Sequence, residues 1–260
     1  MSYVTTSACA SAAHAIADVY HYIQLGKADV IITGGSEASV LPTPVGGFNA
    51  MHALSTNNDS YMTASRPFDV SRDGFVIGEG AASLILEDYE HAVARGAKIY
   101  AELSGVGLST DTFHVTAPNP EGISAAAAMR NCIADASLRP EDVDHINTHA
   151  TSTPQGDISE CKAIGSVFGE HAYNILINAT KSMTGHLLGA AGAIEAVATV
   201  LAVNTGKVPP TINLDTVDPV LPAYNFCANR MVEKDIRVAI SNSFGFGGHN
   251  ASLLFTKYEL

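Results

Sequence analysis

Apolar residues after Cys9 recur at the spacing of one helix face, at Ala12, Ala13, Ile16, Ala17, Tyr20 and Ile23. The pattern stops at Gly26, and the continuous apolar run "ADVIITGG" follows it, so we predict a helix and then a buried strand. The run "AASLILED" (81–88) predicts another strand, followed by a short helix up to Gly96. Residues 40–80 contain many turn formers and little periodicity, which predicts a long excursion with a functional or interface role.

From Lys98 onward, predicted strands and helices alternate. Their order is strand "KIYAELSGVGLST", helix "GISAAAAMRNCIADA", strand "VDHINTHA", helix "DISECKAIGSVFG", strand "NILINAT", a long helix from His186, and the strands "VAISNS" and "NASLLF". Such alternation favours an α/β fold in which helices are layered on a mostly parallel sheet.

Composition and charge narrow the class of protein. The 260 residues are 47% hydrophobic, enough for a buried core, and the net charge of −12 without a Lys/Arg cluster argues against nucleic-acid binding. The four cysteines are scattered, which indicates neither a disulfide framework nor a zinc motif.

Met1 to Cys9 has no signal-peptide pattern, so we expect a cytoplasmic protein. The apolar run 186–203 carries Glu195 and several small residues, and it predicts a buried helix.

Cys9 is the first candidate for chemistry. It lies among small residues in "TTSACASAAHAIADVY" (5–20), directly before the first predicted helix. Small neighbours let another molecule approach the sulfur, and the positive end of a helix favours thiolate over thiol. The alternative is that a free cysteine is simply a small buried hydrophobic residue.

Three later segments place reactive or glycine-rich residues just beyond predicted strands, where α/β sheets build their sites. They are "NTHATSTPQGD" (147–157), "TKSMTGHLLGAAG" (180–192) and "SNSFGFGGHN" (241–250). Together with "SACASA" they resemble, in order and spacing, the four signature regions of the β-ketoacyl-acyl carrier protein synthases, and of their elongating type II members above all. The resemblance runs along the whole chain and includes "ALSTNND", "SRPFDVSRDGFVIGEGA" and "VPPTINL".

The resemblance implies a thiolase-like layered α/β fold with a complete second βαβαβ repeat and a partial first one. Residues 1–97 would be the remainder of an N-terminal half with the nucleophile, and residues 98–260 a C-terminal half with the histidines, the lysine and a gating loop. Family members carry a further ~100–150 residues, the size of an ordinary domain, before the nucleophile. We therefore expect a chain truncated at its N-terminus, without part of the acyl pocket and the dimer surface.

The resemblance also implies roles for individual residues. Cys9 would accept the acyl group, and His149 and His186 would stabilise the enolate formed by decarboxylation. Lys181 would set the electrostatics of the site, with Glu195 as its partner carboxylate on the same helix.

Further roles fall on the gating loop and the substrate channel. Phe246 would gate the nucleophile, and its backbone N–H, with that of Cys9, would form an oxyanion hole. The predicted substrate-binding residues, which include the threonines expected to hydrogen-bond the pantetheine arm, are Thr151, Thr153, His114, Thr116 and Phe244. Ala150 stands where the family usually has glycine, which would matter if that position required a positive φ.

The activity implied is that of an acyltransferase acting by ping-pong decarboxylative condensation. Acyl carrier protein would deliver an acyl group to Cys9, and malonyl-acyl carrier protein would then supply the attacking carbanion. We expect no metal and no consumed cofactor, because phosphopantetheine arrives on the carrier protein, and we expect a homodimer. The alternatives are a catalytically incomplete fragment and a non-catalytic assembly subunit; a decarboxylating polyketide subunit is disfavoured by Cys9.

Overall fold

The computed structural model describes residues 2–259. Its helices are α1 (Ser11–Gln24), α2 (Pro42–Ala50), α3 (Tyr89–Ala94), α4 (Ile123–Asp135), α5 (Pro154–Phe168), α6 (Lys181–Thr184) and α7 (Ala191–Thr205). Its strands are β1 (Val30–Glu37), β2 (Gly80–Glu87), β3 (Glu102–Thr110), β4 (His145–Asn147), β5 (Leu176–Asn178), β6 (Lys207–Val208), β7 (Val232–Glu233), β8 (Val238–Gly245) and β9 (His249–Thr256). Short 3₁₀ helices lie at Tyr61–Thr63, Pro140–Asp142, Gly169–Asn174 and Leu188–Ala190.

A five-stranded sheet in the order β3-β9-β8-β4-β5 organises the chain after residue 98. β4 is parallel to β5 and to β8, whereas β9 is antiparallel to both β8 and β3. The α/β class is confirmed, but the expectation of a mostly parallel sheet is wrong. The reason is the short connection between β8 and β9, since a tight turn can join only antiparallel neighbours and a parallel pair needs a crossover of about a dozen residues.

Helices cover both faces of this sheet. Leu254 and Leu253 are adjacent in β9 and so point to opposite faces. Leu254 belongs to an apolar cluster with Met129 of α4 and with α5, while Leu253 belongs to a second cluster with Ile16 of α1 and with α7. All four side chains are fully buried. On the second side, β1 and β2 form an antiparallel ribbon that packs against α1 and α7, so these two helices lie between two β layers.

The apolar run near residue 190 forms a core helix. The stretch Leu188–Thr205 is long and apolar enough to cross a membrane by length and composition, and 56% of it is buried inside the protein. A side chain on Gly192 would come within 2.7 Å of the Ala13 backbone nitrogen, so glycine at this position lets α7 approach α1 closely. The helix begins at Ala191 after a 3₁₀ turn, later than the sequence pattern predicts.

The excursion 40–80 is less regular than the rest of the chain, as predicted, but it contains the unpredicted helix α2. Pro42 and Pro44 lie in its first turn and Gly46 and Gly47 in its middle, so the helix shows little apolar periodicity. None of its side chains is buried.

Gly107 allows α4 to lie directly on β3. A methyl group there would overlap the carbonyl oxygen of Ala128 and the backbone nitrogen of Cys132. We expect Gly107→Ala to lower the free energy of unfolding by about 3 kcal/mol, because both clashing partners are backbone atoms that cannot rotate away. Urea unfolding followed by circular dichroism measures the effect.

The control is Gly46→Ala in α2, where an added methyl group meets no atom within 4 Å. Alanine favours a helix over glycine by up to about 1 kcal/mol, so this variant should be as stable as the wild type or more so. Equal destabilisation by the two substitutions would contradict the assigned contact between α4 and β3.

Candidate active site

One cavity of about 440 Å³ brings together most of the residues singled out in the sequence. The predicted residues that line it are Cys9, His114, Thr116, His149, Thr151, Thr153, His186, Phe244 and Phe246. Lys181 and Glu195 do not line the cavity and lie buried beside it. Five separate segments of the chain therefore meet at one site.

Strand direction explains why these segments converge. His149 follows β4 by two residues, Lys181 follows β5 by three, and Phe246 follows β8 directly. Because β4, β5 and β8 are mutually parallel, their carboxyl ends meet at one edge of the sheet.

Cys9 lies on a tight turn before α1. Ala8 adopts a φ of 50°, a conformation that costs free energy for any residue with a side chain. The Ala10 N–H donates to the Ser7 carbonyl, and the Ser11 hydroxyl donates to the Ala8 carbonyl at 2.7 Å, so local hydrogen bonds hold the turn. Cys9 lines the cavity and is 6% exposed.

Burial raises the pKa of the Cys9 thiol to about 11, although Lys181 and the backbone N–H groups of Phe246 and Cys9, which hydrogen-bond to the sulfur, all act to lower it. The expectation that the helix start makes Cys9 a thiolate is therefore wrong for this state, because the loss of solvation outweighs the favourable charges. At neutral pH Cys9 is a thiol, and a reaction through its sulfur must first remove that proton. The two backbone N–H groups expected to form an oxyanion hole do converge at the sulfur.

His149 and His186 both line the cavity and pack against each other edge to face. Their ring centroids are 5.3 Å apart and their planes lie at 86°. Burial, followed by the nearby charge of Lys181, holds the pKa of each imidazole well below its usual value. Both rings are therefore neutral at pH 7, and each can donate one hydrogen bond.

Glu160 holds the backbone around His149, a role that the sequence did not reveal. Its carboxylate accepts hydrogen bonds from the N–H groups of His149 (2.9 Å) and Ala150 (2.8 Å) and from the Asn242 side chain (3.0 Å). The signal in the sequence that could have revealed Glu160 is an acidic residue on the buried face of a predicted helix.

The backbone at Ala150 does not adopt a positive φ, so alanine in place of the usual glycine causes no strain there. The positive φ in this loop belongs to Ser152, at 66°.

The excursion 40–80 fixes His186. The His186 N–H donates to the Val76 carbonyl at 2.7 Å, and its own carbonyl accepts from Gly78 at 2.9 Å. The Phe75 ring contacts the imidazole edge-on, with centroids 5.3 Å apart. Sequence reasoning missed Phe75, because aromatic residues in non-periodic segments carry no distinguishing pattern.

Lys181 and Glu195 form a buried ion pair. The expectation that they share one helix is wrong, because Lys181 lies in α6 and Glu195 in α7. Residues 185–190 separate the two helices, and the first of them, Gly185, has a φ of 67°. Burial raises the pKa of Glu195 to about 7, against the opposing effect of Lys181. The lysine charge acts on Cys9, His149 and His186 together.

The gating loop packs against the loop that contains His114. The Gly247 N–H donates to the Val115 carbonyl at 2.7 Å, and the Asp111 N–H donates to the Gly248 carbonyl at 2.8 Å. Gly248 has a φ of 81°, and a methyl group there would overlap the Asp111 backbone, so this position requires glycine. His114 caps its own loop by accepting the Thr116 N–H at 3.1 Å.

The comparisons with known sequences agree along the chain. Residues 1–92 match the N-terminal domain of beta-ketoacyl synthases, and residues 100–215 match their C-terminal domain. The 3-oxoacyl-[acyl-carrier-protein] synthase 2 of Synechocystis sp. is 50% identical over 98% of this chain, and that of Staphylococcus aureus is 49% identical over the same share. The chain spans 61% of the length of each of these relatives.

Solved structures share the fold. A ketosynthase solved in complex with its type II PKS acyl-carrier protein and bound to the hexaketide superposes with a TM-score of 0.95 at 40% identity, over 97% of this chain and 62% of that one. A beta-ketoacyl synthase from Burkholderia phymatum gives 0.93 at 40% identity, over 98% and 61%. These similarities confirm the fold expected from the sequence resemblance.

Lys181→Met tests the electrostatic design of the site. Because the lysine charge lowers the pKa of Cys9, its loss should raise that pKa by about one unit and slow alkylation of Cys9 by iodoacetamide about tenfold between pH 8 and 9. Intact-mass spectrometry measures the rate. Lys162→Met, which removes an exposed lysine of α5 paired with Glu121, should leave the rate unchanged. Equal rates in both variants would contradict the coupling between Lys181 and Cys9.

Proposed function

Because the chain belongs to the β-ketoacyl synthase family, we propose that it is an acyltransferase of fatty acid elongation, which condenses a malonyl-derived unit with an acyl group held on Cys9. The observation that carries the proposal is the convergence of a cysteine and two neutral histidines on one cavity. This arrangement suits carbon–carbon bond formation, since it provides one nucleophile and two hydrogen-bond donors.

In the first half-reaction, the Cys9 sulfur attacks the carbonyl carbon of an acyl thioester. The new C–S bond forms as the bond to the pantetheine sulfur breaks, and the Cys9 proton leaves with the departing thiol. The N–H groups of Phe246 and Cys9 support the negative charge that develops on the carbonyl oxygen. Transfer needs no activation of the substrate beyond its thioester.

In the second half-reaction, malonyl thioester replaces the departed carrier. Neutral His149 and His186 donate hydrogen bonds to its thioester oxygen. The bond to the carboxylate carbon breaks, carbon dioxide leaves, and the electron pair of that bond stays on the remaining carbon. That carbanion attacks the acyl carbonyl on Cys9, and the C–S bond to the enzyme breaks with its electrons left on the sulfur. A 3-oxoacyl thioester departs, and the Cys9 thiolate takes a proton from water to restore the thiol. Imidazolium would donate as well, but the low pKa of both rings keeps them neutral.

The threonine side of the cavity suits the pantetheine arm. The hydroxyl oxygens of Thr151 and Thr153 lie 3.0 Å apart on the cavity wall, where they can pair with the amides of an extended chain. Thr116, His114 and Phe244 line the same passage. On this proposal the phosphopantetheine belongs to the carrier protein, and the enzyme consumes no cofactor or metal.

Acyl carrier protein is the proposed partner. A ketosynthase of the same fold has been solved in complex with its acyl-carrier protein, which supports the assignment. A cytoplasmic homodimer completes the proposal, and both points can be tested by fractionation and by sedimentation.

The proposed function is tested by the mass of the purified chain after incubation with acyl-acyl carrier protein. We expect an adduct of one acyl group per chain that disappears in Cys9→Ala, because only this cysteine lines the cavity. Cys227→Ala, which removes a buried cysteine outside the cavity, should retain the adduct. A folded chain that acquires no acyl group would contradict the enzyme assignment and favour a catalytically incomplete fragment.

A further inference from the structure

The loop of residues 151–154, here called the threonine loop, is held by a segment distant in sequence, residues 66–74. The Arg66 N–H donates to the Ser152 hydroxyl at 3.1 Å, and the Gly74 N–H donates to the Ser152 carbonyl at 3.0 Å. Ser152 is fully buried at its positive φ of 66°. Both ends of segment 66–74 therefore bind the residue between the two threonines.

Arg72 adds a charged donor to this contact. Its guanidinium is buried and donates to the carbonyl of Thr153 at 3.4 Å through Nε and to that of Pro154 at 3.0 Å through Nη2. Nη1 donates to Asp218 at 2.8 Å, and Asp157 lies 3.5 Å from Nε. The planar fork of arginine can reach these partners at once, whereas a lysine ammonium on a single stem cannot.

Segment 66–74 is also anchored by hydrogen bonds in which the Arg72 side chain takes no part. The Asp69 carboxylate accepts the N–H groups of Asp215 (3.0 Å) and Thr216 (2.9 Å), and the Val70 N–H donates to the Thr216 carbonyl at 2.9 Å. The segment is thus fixed to residues 215–216, and Arg72 transmits that fixed position to the threonine loop.

We infer that Arg72 is a positioning residue that sets the hydroxyls of Thr151 and Thr153 for the pantetheine arm. The inference rests on the proposed function, because it assigns a purpose to the threonine loop. Arg72 does not line the cavity, so it acts through the carbonyl groups of Thr153 and Pro154. A misplaced hydroxyl weakens capture of the arm, while none of the hydrogen bonds of Arg72 reaches the turn that holds Cys9.

The test is the rate of Cys9 acylation against the concentration of S-hexanoyl-pantetheine, followed by intact mass. For Arg72→Lys we expect the half-saturating concentration to rise about tenfold, which corresponds to the loss of one hydrogen bond. The limiting rate, and the rate of Cys9 alkylation by iodoacetamide, should change less than about twofold. Arg130→Lys, an exposed arginine of α4 bound to Ser166, is the matched control and should behave as the wild type.

Each outcome decides a separate question. If the wild type is not acylated by the pantetheine thioester, the proposed function fails and the inference falls with it. If the wild type saturates and Arg72→Lys saturates at the same concentration, the inference alone is overturned. A fall in the alkylation rate equal to the fall in acylation would also overturn it, since that pattern indicates a general structural role.

A second variant covers the case in which Arg72→Lys does not fold, as judged by circular dichroism. Asp218→Ala removes the carboxylate that accepts Nη1 of Arg72 at 2.8 Å, and it keeps the contacts of Arg66 and Gly74 with Ser152. It should raise the half-saturating concentration in the same way with the limiting rate preserved. An unchanged half-saturating concentration in this variant would overturn the inference.

Discussion

Lys181 brings a positive charge into the interior beside the cavity, and the chemistry of the site depends on how that charge is balanced. A buried ammonium group loses several kcal/mol of solvation, which one well-placed carboxylate can offset. Glu195 supplies it from the neighbouring helix, and Thr180 adds a hydroxyl to the same carboxylate at 3.5 Å. The carboxylate does not cancel the lysine charge completely. The remaining positive field lowers the pKa of Cys9 and of both cavity histidines.

That field lowers the pKa of both kinds of group, but it opposes the effect of burial on the thiol and adds to the effect of burial on the imidazoles. A positive charge favours the anionic form of a thiol, so it opposes the burial that raises the pKa of Cys9 to about 11. The same charge disfavours imidazolium, so it reinforces the burial that keeps His149 and His186 neutral. On the proposed function, one lysine therefore favours the thiolate form of Cys9 and keeps the two histidines from becoming cations that would pair with it.

The sequence was most informative where chemistry and local structure share one short segment. The helix α1, Cys9 before it, and the residues beyond β4, β5 and β8 could all be assigned, because strand, turn and reactive residue are contiguous. The predictions of a mostly parallel sheet and of a lowered pKa for Cys9 were wrong. Both properties depend on residues remote in sequence, the first through strand pairing and the second through desolvation. Glu160 and Arg72 were missed for the same reason, as their partners lie in other elements.

The excursion 40–80 shows why the least periodic part of a chain can position much of its candidate active site. Periodicity arises when a segment satisfies its backbone in its own helix or ladder and buries one face. Residues 66–78 instead direct their polar groups outward: Val76 and Gly78 bond His186, while Arg66, Arg72 and Gly74 bond the threonine loop. Each of these hydrogen bonds takes the place of one within a regular helix or sheet. The same contacts therefore position two segments of the candidate site and leave residues 66–78 without an apolar period.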